Sequence, residues 1–367
     1  MIAWGTSVAF CFLVSAVYVV GLYVIPARVR KLPRDNTEHI YYRLGITTCS
    51  NILTVVLVEY CSASLARGTE LENLTFAESM GFRVDNACMS IAVTVMLMLM
   101  FYAGPAVSFV SYLVLAAGRN TNINSATEPA AGSSAADAAA AASLLQKELP
   151  TSPTALWCNI LRSQGRDMAR HPEVAIRMLV FALLSEELIF RSVIILLMLA
   201  TVPTGQHINS WRIALVCPFW FGVAHVHHAW TLWKDESSSG GASRGSKNSA
   251  LIRSVITRTG FQLAYTTIFG VVAALLFMRT GNILAPIVSH VICNYAQLPN
   301  MSFMRGPNPS SHCATHSLST GDLSCLYSYR YFMLALHAGG LVAFSLCLFP
   351  CTEALSQQSP LWSTTSS

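Results

Sequence analysis

Two carboxylates and a guanidinium lie inside an otherwise apolar run of the chain, the sequence LLSEELIFR. Glu187 and Arg191 are four residues apart, so on a helix they share one face and can form an ion pair. Glu186 is rotated by about 100° from that face and is left without this partner. A carboxylate held in apolar surroundings without a cation is a candidate proton acceptor, and we interpret Glu186 in this way.

Two further apolar runs carry imidazole and amide groups. His225 and His228 are three residues apart and share a helical face, whereas His227 points elsewhere. His290 and Asn294 are four residues apart and also share a face. A carboxylate with a histidine can activate water, and a His/Asn pair can donate two hydrogen bonds to a developing oxyanion. The three runs together predict a hydrolase.

The sequence offers no other common catalytic signature. It contains no HExxH motif for a zinc peptidase and no GxSxG motif for a serine nucleophile. Placing one charged group near the centre of a membrane helix costs about 2.5–3.5 kcal/mol on translocon scales, so we expect each of these groups to have a catalytic or structural role. For Glu187 and Arg191 the role can equally be structural, as a pair that locks helix packing.

The amino-acid composition indicates the environment in which these charged and polar side chains lie. The chain has 367 residues, of which 53% are hydrophobic and 11% are charged. A soluble domain has about 25% charged residues, so a soluble multi-domain enzyme is excluded. The net charge of +5 is too small and too scattered to indicate a nucleic-acid partner. We therefore predict an all-α, polytopic integral membrane protein with an intramembrane active-site cavity.

About eight apolar segments approach the roughly 20 residues that a helix needs to cross a bilayer. The motifs fall on the fourth, fifth and seventh of them. The predicted spans are residues 5–26, 45–66, 87–117, 174–201, 211–230, 257–278, 283–299 and 331–351.

Charges in the short loops predict the orientation. A basic cluster within residues 27–44 follows the first span, which indicates that this loop is cytosolic and the N-terminus lumenal. The next loop, residues 67–86, is acid-rich and contains the glycosylation sequon Asn73-Leu74-Thr75, as a lumenal loop can. The basic 118–173 connection returns to the cytosol.

Low-complexity stretches divide the chain into consecutive segments. Residues 1–124 are predicted to hold the N-terminal spans, and residues 125–150 form an Ala/Ser-rich cytosolic linker. Residues 151–300 form the catalytic membrane core, with a disordered Gly/Ser-rich insertion at 236–249. Residues 301–367 hold the last span and a polar tail.

The motifs resemble those of the type II CAAX prenyl endopeptidases. The matching patterns are EExxxR from Glu186, FxxAHxxH from Phe221 and HxxxN from His290, in this order and each on a predicted span. These enzymes, also called Ras-converting enzymes, belong to the wider family of CAAX-processing and bacteriocin-immunity membrane proteases. The resemblance covers roughly residues 155–300.

The resemblance implies an activity, substrates and a location. Family members remove the C-terminal tripeptide from farnesylated or geranylgeranylated CAAX proteins such as Ras-like small GTPases. It implies a multi-pass protein of the endoplasmic reticulum membrane, in contact with lipid, whose active site is reached from the cytosolic side. Separately from the resemblance, we predict no metal or other cofactor and no nucleic-acid partner.

The resemblance also implies roles for individual residues. Glu186 would be the general base that activates water, assisted by His225. His290 and Asn294 would stabilise the tetrahedral oxyanion. Supporting or substrate-binding positions would be Glu187, Arg191 and His228.

Two alternatives stay open. The first is a zinc-dependent version of the same protease, because Glu and His side chains are zinc ligands. The adjacent carboxylates and the lack of a close His-x3-His pair favour the metal-free version. The second is a proton-coupled transporter or a non-catalytic scaffold, since intramembrane Glu and His also form proton relays. A transporter would be expected to have an internal repeat with broken helices, and the sequence has none.

Overall fold

The computed structural model describes residues 4–33, 35–69, 71–126, 152–203, 210–222, 224, 247–306 and 323–362. Across these ranges the regular secondary structure is helical, and one isolated antiparallel bridge joins Thr69 to Pro203. The predicted all-α membrane fold is therefore confirmed. Most of the predicted 125–150 linker lies outside these ranges. So does the 236–249 insertion, except for its last three residues, which are helical.

The first two helices are formed by apolar runs with clear boundaries. Helix α1 covers Trp4–Gly21 and helix α2 covers Thr37–Ala66. The side chain of Asn36 accepts the backbone N–H of Glu38, which satisfies one of the free donors at the start of α2.

A sharp bend separates the next two helices. Helix α3, Ala87–Phe101, and helix α4, Ala103–Ala126, meet at 58°. Pro105 lies in the first turn of α4, where its missing N–H costs no helical hydrogen bond. The break between the two helices lies at Tyr102, two residues before the Gly104-Pro105 dipeptide. Helix α5 follows at Pro153–Arg170.

Helix α6, residues 172–199, carries the Glu pair and is not regular. Its α-helical segment Ala182–Glu187 lies between two π-helical segments, Arg177–Phe181 and Leu188–Val193. Such π segments within α-helices occur frequently at functional sites. Glu186 and Glu187 therefore lie at the end of a short α-helical segment that has irregular backbone on both sides.

The remaining helices complete the fold. Helix α7 covers residues 210–222, α8 covers Lys247–Thr280, α9 covers Leu284–Ala296 and α10 covers Arg330–Ser356. The short turn between α8 and α9 contains Gly281 at φ +60°, a left-handed conformation that glycine adopts without steric cost.

Among the described residues, fewer helices than the predicted eight are long and apolar enough to cross a membrane. Four helical segments of the described residues satisfy this criterion, and the bent pair α3 and α4 makes a fifth if it is one span. Helix α9, at the predicted span 283–299, has 13 residues, and the predicted span 211–230 extends beyond the described residues. The four are Trp4–Gly21, Thr37–Ala66, Val255–Thr280 and Leu323–Ser356.

The chain divides into two compact units, each discontinuous in sequence. The first unit comprises Met1–Met96, Glu173–Asn294 and Leu348–Ser367, and it contains the Glu pair and His290. The second comprises Leu97–Pro172 and Tyr295–Cys347. Within the second unit, a buried cluster joins α4 to α5, with Tyr112 and Leu113 beside Leu156 and Ile160. The division into consecutive segments made from sequence stays a prediction.

Within the first unit, α1 packs antiparallel against α6. The Ser7 hydroxyl donates to the Leu197 carbonyl at 2.7 Å, and the Tyr18 hydroxyl lies 2.9 Å from the Ser185 hydroxyl. The residues of α1 buried here are small, namely Ser7, Cys11 and Ser15. Small residues at this spacing let two membrane helices approach closely.

Candidate active site

Glu187 and Arg191 form the ion pair that their spacing predicts. Arg191 Nε lies 3.0 Å from Glu187 Oε2, and the two side chains are 1% and 0% exposed. The contact is ionic, because its geometry does not satisfy a directed hydrogen bond. Both charges are removed from water, which is costly for each ion unless the partner stays in place.

Aromatic rings surround the guanidinium of Arg191. Its central carbon lies 4.7 Å from the ring centroid of Phe221, on α7, and 5.7 Å from that of Phe269, on α8. Within the described part of the chain, its Nη1 and Nη2 atoms have no hydrogen-bond acceptor. Cation–π attraction to these rings therefore provides favourable contact for the buried cation. Residues of three helices, α6, α7 and α8, therefore contact the side chain of Arg191.

His290, on α9, connects the two carboxylates. Its Nδ1 lies 2.6 Å from Glu187 Oε1, and its Nε2 lies 3.9 Å from Glu186 Oε2. Because an ionised carboxylate only accepts hydrogen bonds, Nδ1 carries the proton shared with Glu187. The Phe269 ring, 4.8 Å from the imidazole by centroids, packs against the same histidine. The orientation of His290 is thus fixed, and its Nε2 faces Glu186.

The two adjacent glutamates have different environments. Glu187 is fully buried and contacts both Arg191 and His290, whereas the Glu186 side chain is 22% exposed. Glu186 is too far from His290 for a direct hydrogen bond. Two carboxylates placed in different surroundings are typical of sites in which one of them handles protons. Of the two, Glu186 is the one whose side chain is accessible at the protein surface.

The structure brings together four of the seven residues singled out from sequence: Glu186, Glu187, Arg191 and His290. Asn294 is exposed on α9, one turn beyond His290. His225 and His228 lie outside the described residues, although Phe221 and Ala224 of the same motif are helical and buried.

Sequence reasoning missed residues that pack around this cluster. Tyr18 contacts Ser185, the residue before Glu186, and its ring meets Phe190 edge-on at 5.3 Å. Phe269 contacts both Arg191 and His290. Tyr18 had no motif to identify it, because it belongs to the first span. Its hydroxyl alone could not single it out, because the same helix also carries Thr6, Ser7 and Ser15.

The zinc alternative has no support among the described residues. There, no three His, Cys, Asp or Glu side chains are grouped so that they can hold a metal ion. The residues that this alternative adds, His225 and His228, fall outside the described ranges.

Comparison with known proteins identifies the segment that carries the cluster. The family model described as Type II CAAX prenyl endopeptidase Rce1-like matches residues 172–296. These residues run from the start of α6 to the end of α9 and include every motif named above. No solved structure matches the chain significantly.

Curated relatives agree with the family model. CAAX prenyl protease 2 of Arabidopsis thaliana is 32% identical over 179 residues, which is 49% of this chain and 44% of the relative. CAAX prenyl protease 2 of Homo sapiens is 32% identical over 120 residues, 33% of this chain and 31% of the relative. The protein of that name from Saccharomyces cerevisiae is 30% identical over 127 residues, 34% and 36% of the two chains.

Each alignment spans less than half the length of the curated relative. The family model matches the segment in which the ionisable side chains converge. The resemblance drawn from the three motifs is therefore confirmed for residues 172–296, which match the model of the type II CAAX prenyl endopeptidases.

Proposed function

We propose that this protein is an intramembrane endopeptidase that removes the C-terminal tripeptide from prenylated CAAX proteins. The observation that carries the proposal is the cluster in which His290 joins a buried, Arg-paired Glu187 to the more exposed Glu186. The relatives named CAAX prenyl protease 2 support the same activity. Their names imply a prenylated CAAX protein as substrate.

Glu186 is the proposed general base. It takes a proton from a water molecule while the water oxygen bonds to the carbonyl carbon of the prenylated cysteine. His225 assists in activating this water. When the tetrahedral intermediate collapses, the C–N bond breaks and the proton passes to the leaving amine. The products are a prenyl-cysteine carboxylate and a free tripeptide.

His290 and Asn294 are the proposed donors to the oxyanion. Because His290 uses Nδ1–H toward Glu187, it donates from Nε2 only when it carries both protons. The Glu187 carboxylate behind His290 fixes the orientation of its ring. Arg191 pairs with the single negative charge of Glu187.

Glu187 and Arg191 are proposed as positioning residues. Arg191 is almost completely buried between aromatic rings, a position suited to holding Glu187 in place. His228, the second histidine of its motif, is assigned a similar supporting role.

Membrane burial suits the proposed substrate. A lipid anchor gains about 0.8 kcal/mol for each buried CH2, so a farnesylated or geranylgeranylated protein is already in the bilayer when it meets the enzyme. We propose Ras-like small GTPases as substrates and the endoplasmic reticulum membrane as the location. The basic loop within residues 27–44 supports a cytosolic face from which the peptide part enters.

The direct test incubates the purified protein with a farnesylated CAAX peptide and with the same peptide lacking the prenyl group. Mass detection is expected to show release of the tripeptide from the prenylated peptide alone. A chelator is expected to leave the rate unchanged. Failure to release the tripeptide would refute the proposed function, and loss on chelation with rescue by zinc would favour the zinc-dependent alternative.

Tyr18 provides a test of whether helix α1 belongs to the site. Changing Tyr18 to Phe removes the hydroxyl that contacts Ser185 and keeps the ring against Phe190. Because one neutral hydrogen bond contributes about 0.5–1.5 kcal/mol, kcat is expected to fall about two- to tenfold while KM changes little. Steady-state kinetics measure this split. Tyr331→Phe, an exposed hydroxyl on α10, is the matched control and should leave kcat unchanged.

A further inference from the structure

Outside the candidate active site, two groups of polar contacts in the first unit lie at opposite ends of helix α2. At one end, Arg28 pairs with Glu38 at 2.6 Å and Arg177 pairs with Asp35 at 2.8 Å. The first pair joins the loop between α1 and α2 to the first turn of α2, and the second joins this loop to the start of α6. We call this the basic end, because Arg28 is accompanied there by exposed Arg30 and Lys31.

The loop between α2 and α3, residues 67–86, is fixed at the other end. Asn86 Nδ2 donates to the Thr280 carbonyl at 2.7 Å, and Asn282 Nδ2 donates to the Arg83 carbonyl at 2.7 Å. The backbone N–H of Ile283 donates to the Gly81 carbonyl at 2.9 Å. This loop is therefore tied to the turn between α8 and α9.

Helix α2 connects the two ends and determines how they relate to a bilayer. It has 30 residues and is about 45 Å long, which exceeds the roughly 30 Å of hydrocarbon in a membrane. The basic end and the 67–86 loop thus lie on opposite sides. Because basic loops stay in the cytosol, the 67–86 loop faces the lumen.

Asn73 stands at an accessible point of this lumenal loop. It lies in a turn, its side chain is exposed, and it begins the sequon Asn73-Leu74-Thr75. Glu59 and Tyr60 are exposed near the end of α2, where they mark the membrane–water interface. Asn73 follows Tyr60 by 13 residues and precedes Ala87, the start of α3, by 14. The chain on either side of Asn73 is therefore long enough to hold this glycan acceptor away from the bilayer.

We propose that Asn73 carries an N-linked glycan that is added in the lumen of the secretory pathway. The donor is an oligosaccharide on a lipid pyrophosphate. The side-chain Nδ2 bonds to the first sugar carbon and loses one proton, and the lipid pyrophosphate leaves with the electron pair of the broken C–O bond. This modification is independent of the proteolytic activity proposed above.

The hydrogen bonds of the folded loop indicate that the glycan is transferred before the loop folds. The Thr75 hydroxyl donates to Glu78 Oε2 at 2.7 Å and accepts the Glu78 N–H at 3.2 Å, a capping box for the short helix Phe76–Ser79. The hydrogen bonds that the Thr75 hydroxyl and the Thr75 backbone N–H donate to the Glu78 carboxylate hold the pKa of Glu78 below its usual value. The sequon hydroxyl is thus occupied in the folded protein, so transfer precedes folding of the loop.

A second sequon supplies an internal control. Asn300-Met301-Ser302 follows α9, which starts at the lumenal turn and leads away from it. In the predicted order of spans this position is cytosolic, where no N-glycan is added. Its asparagine Oδ1 accepts the Ser302 N–H at 2.9 Å.

The test expresses the full chain in yeast cells and compares its gel mobility before and after treatment with peptide N-glycosidase. The wild type is expected to shift by one glycan. Asn73→Gln and Thr75→Ala should abolish the shift, whereas Thr75→Ser preserves the sequon and should keep it. Glu78→Ala breaks the capping box with the sequon intact and should also keep the shift.

The Asn300→Gln variant completes the experiment, and it should shift as the wild type does. The proposal is overturned if the wild type does not shift, or if the shift persists in Asn73→Gln. A shift lost only in Asn300→Gln would reverse the orientation and overturn the proposal as well. Each of these results can be obtained whether or not the protein cleaves a prenylated peptide.

Discussion

Replacing Glu186 with Gln is expected to reduce tripeptide release by about a thousandfold, near the middle of the range for loss of a general base. Glutamine keeps the size of the side chain but cannot accept the proton of the attacking water. Glu186 is 22% exposed and lies 3.9 Å from His290 Nε2, so its change breaks no close contact with that ring. The variant should therefore reach the membrane in normal amounts. Mass detection of the tripeptide over time measures the loss.

Glu59→Gln is the matched control for this experiment. Glu59 is an exposed glutamate of α2, outside the segment that matches the family, so its change should leave turnover unaffected. Near-normal turnover by Glu186→Gln would contradict the assignment of the base. Loss of protein from the membrane would also contradict it, because the effect would then be on folding.

Changing Arg191 to Met is expected to have the largest effect on stability. It leaves the buried Glu187 carboxylate without its cation, and breaking a buried ion pair costs about 3–5 kcal/mol. We expect a large fall in the thermal unfolding midpoint of the detergent-solubilised protein and in its abundance in membranes. The double variant Glu187→Gln/Arg191→Met removes both charges and should recover most of the stability.

Activity should not return in that double variant, because His290 then lacks the carboxylate that contacts its Nδ1. Arg28→Met is the control, since Arg28 pairs with Glu38 at 2.6 Å but is 73% exposed. Exposed pairs of this kind contribute about 0–1 kcal/mol. The interpretation fails if the double variant is as unstable as Arg191→Met, or if Arg28→Met is equally unstable.

Helical periodicity predicted the local part of the site. The four-residue spacing of Glu187 and Arg191 was sufficient to predict their ion pair, and the rotation of Glu186 explained its separation from Arg191. The contact of His290 with Glu187 could not be obtained in this way. It depends on how α9 packs against α6, and spacing within one helix carries no information about packing between helices.

The same limit applies to the irregular parts of the fold. Hydropathy treats residues 174–201 as one regular span, but the π segments on both sides of the Glu pair depend on the packing around them. Tyr18 was missed for a related reason. Its importance follows from contact with Ser185, a residue far away in the chain, and apolar periodicity is insensitive to such contacts.

The position of Arg191 between aromatic rings has a consequence for biosynthesis. The rings belong to α7 and α8, and the histidine that shares Glu187 belongs to α9, so all three arrive after α6 has left the ribosome. Until then, α6 carries three charged groups that are unfavourable in hydrocarbon. Insertion of α6 into the lipid is therefore expected to become more favourable once these later helices are in place.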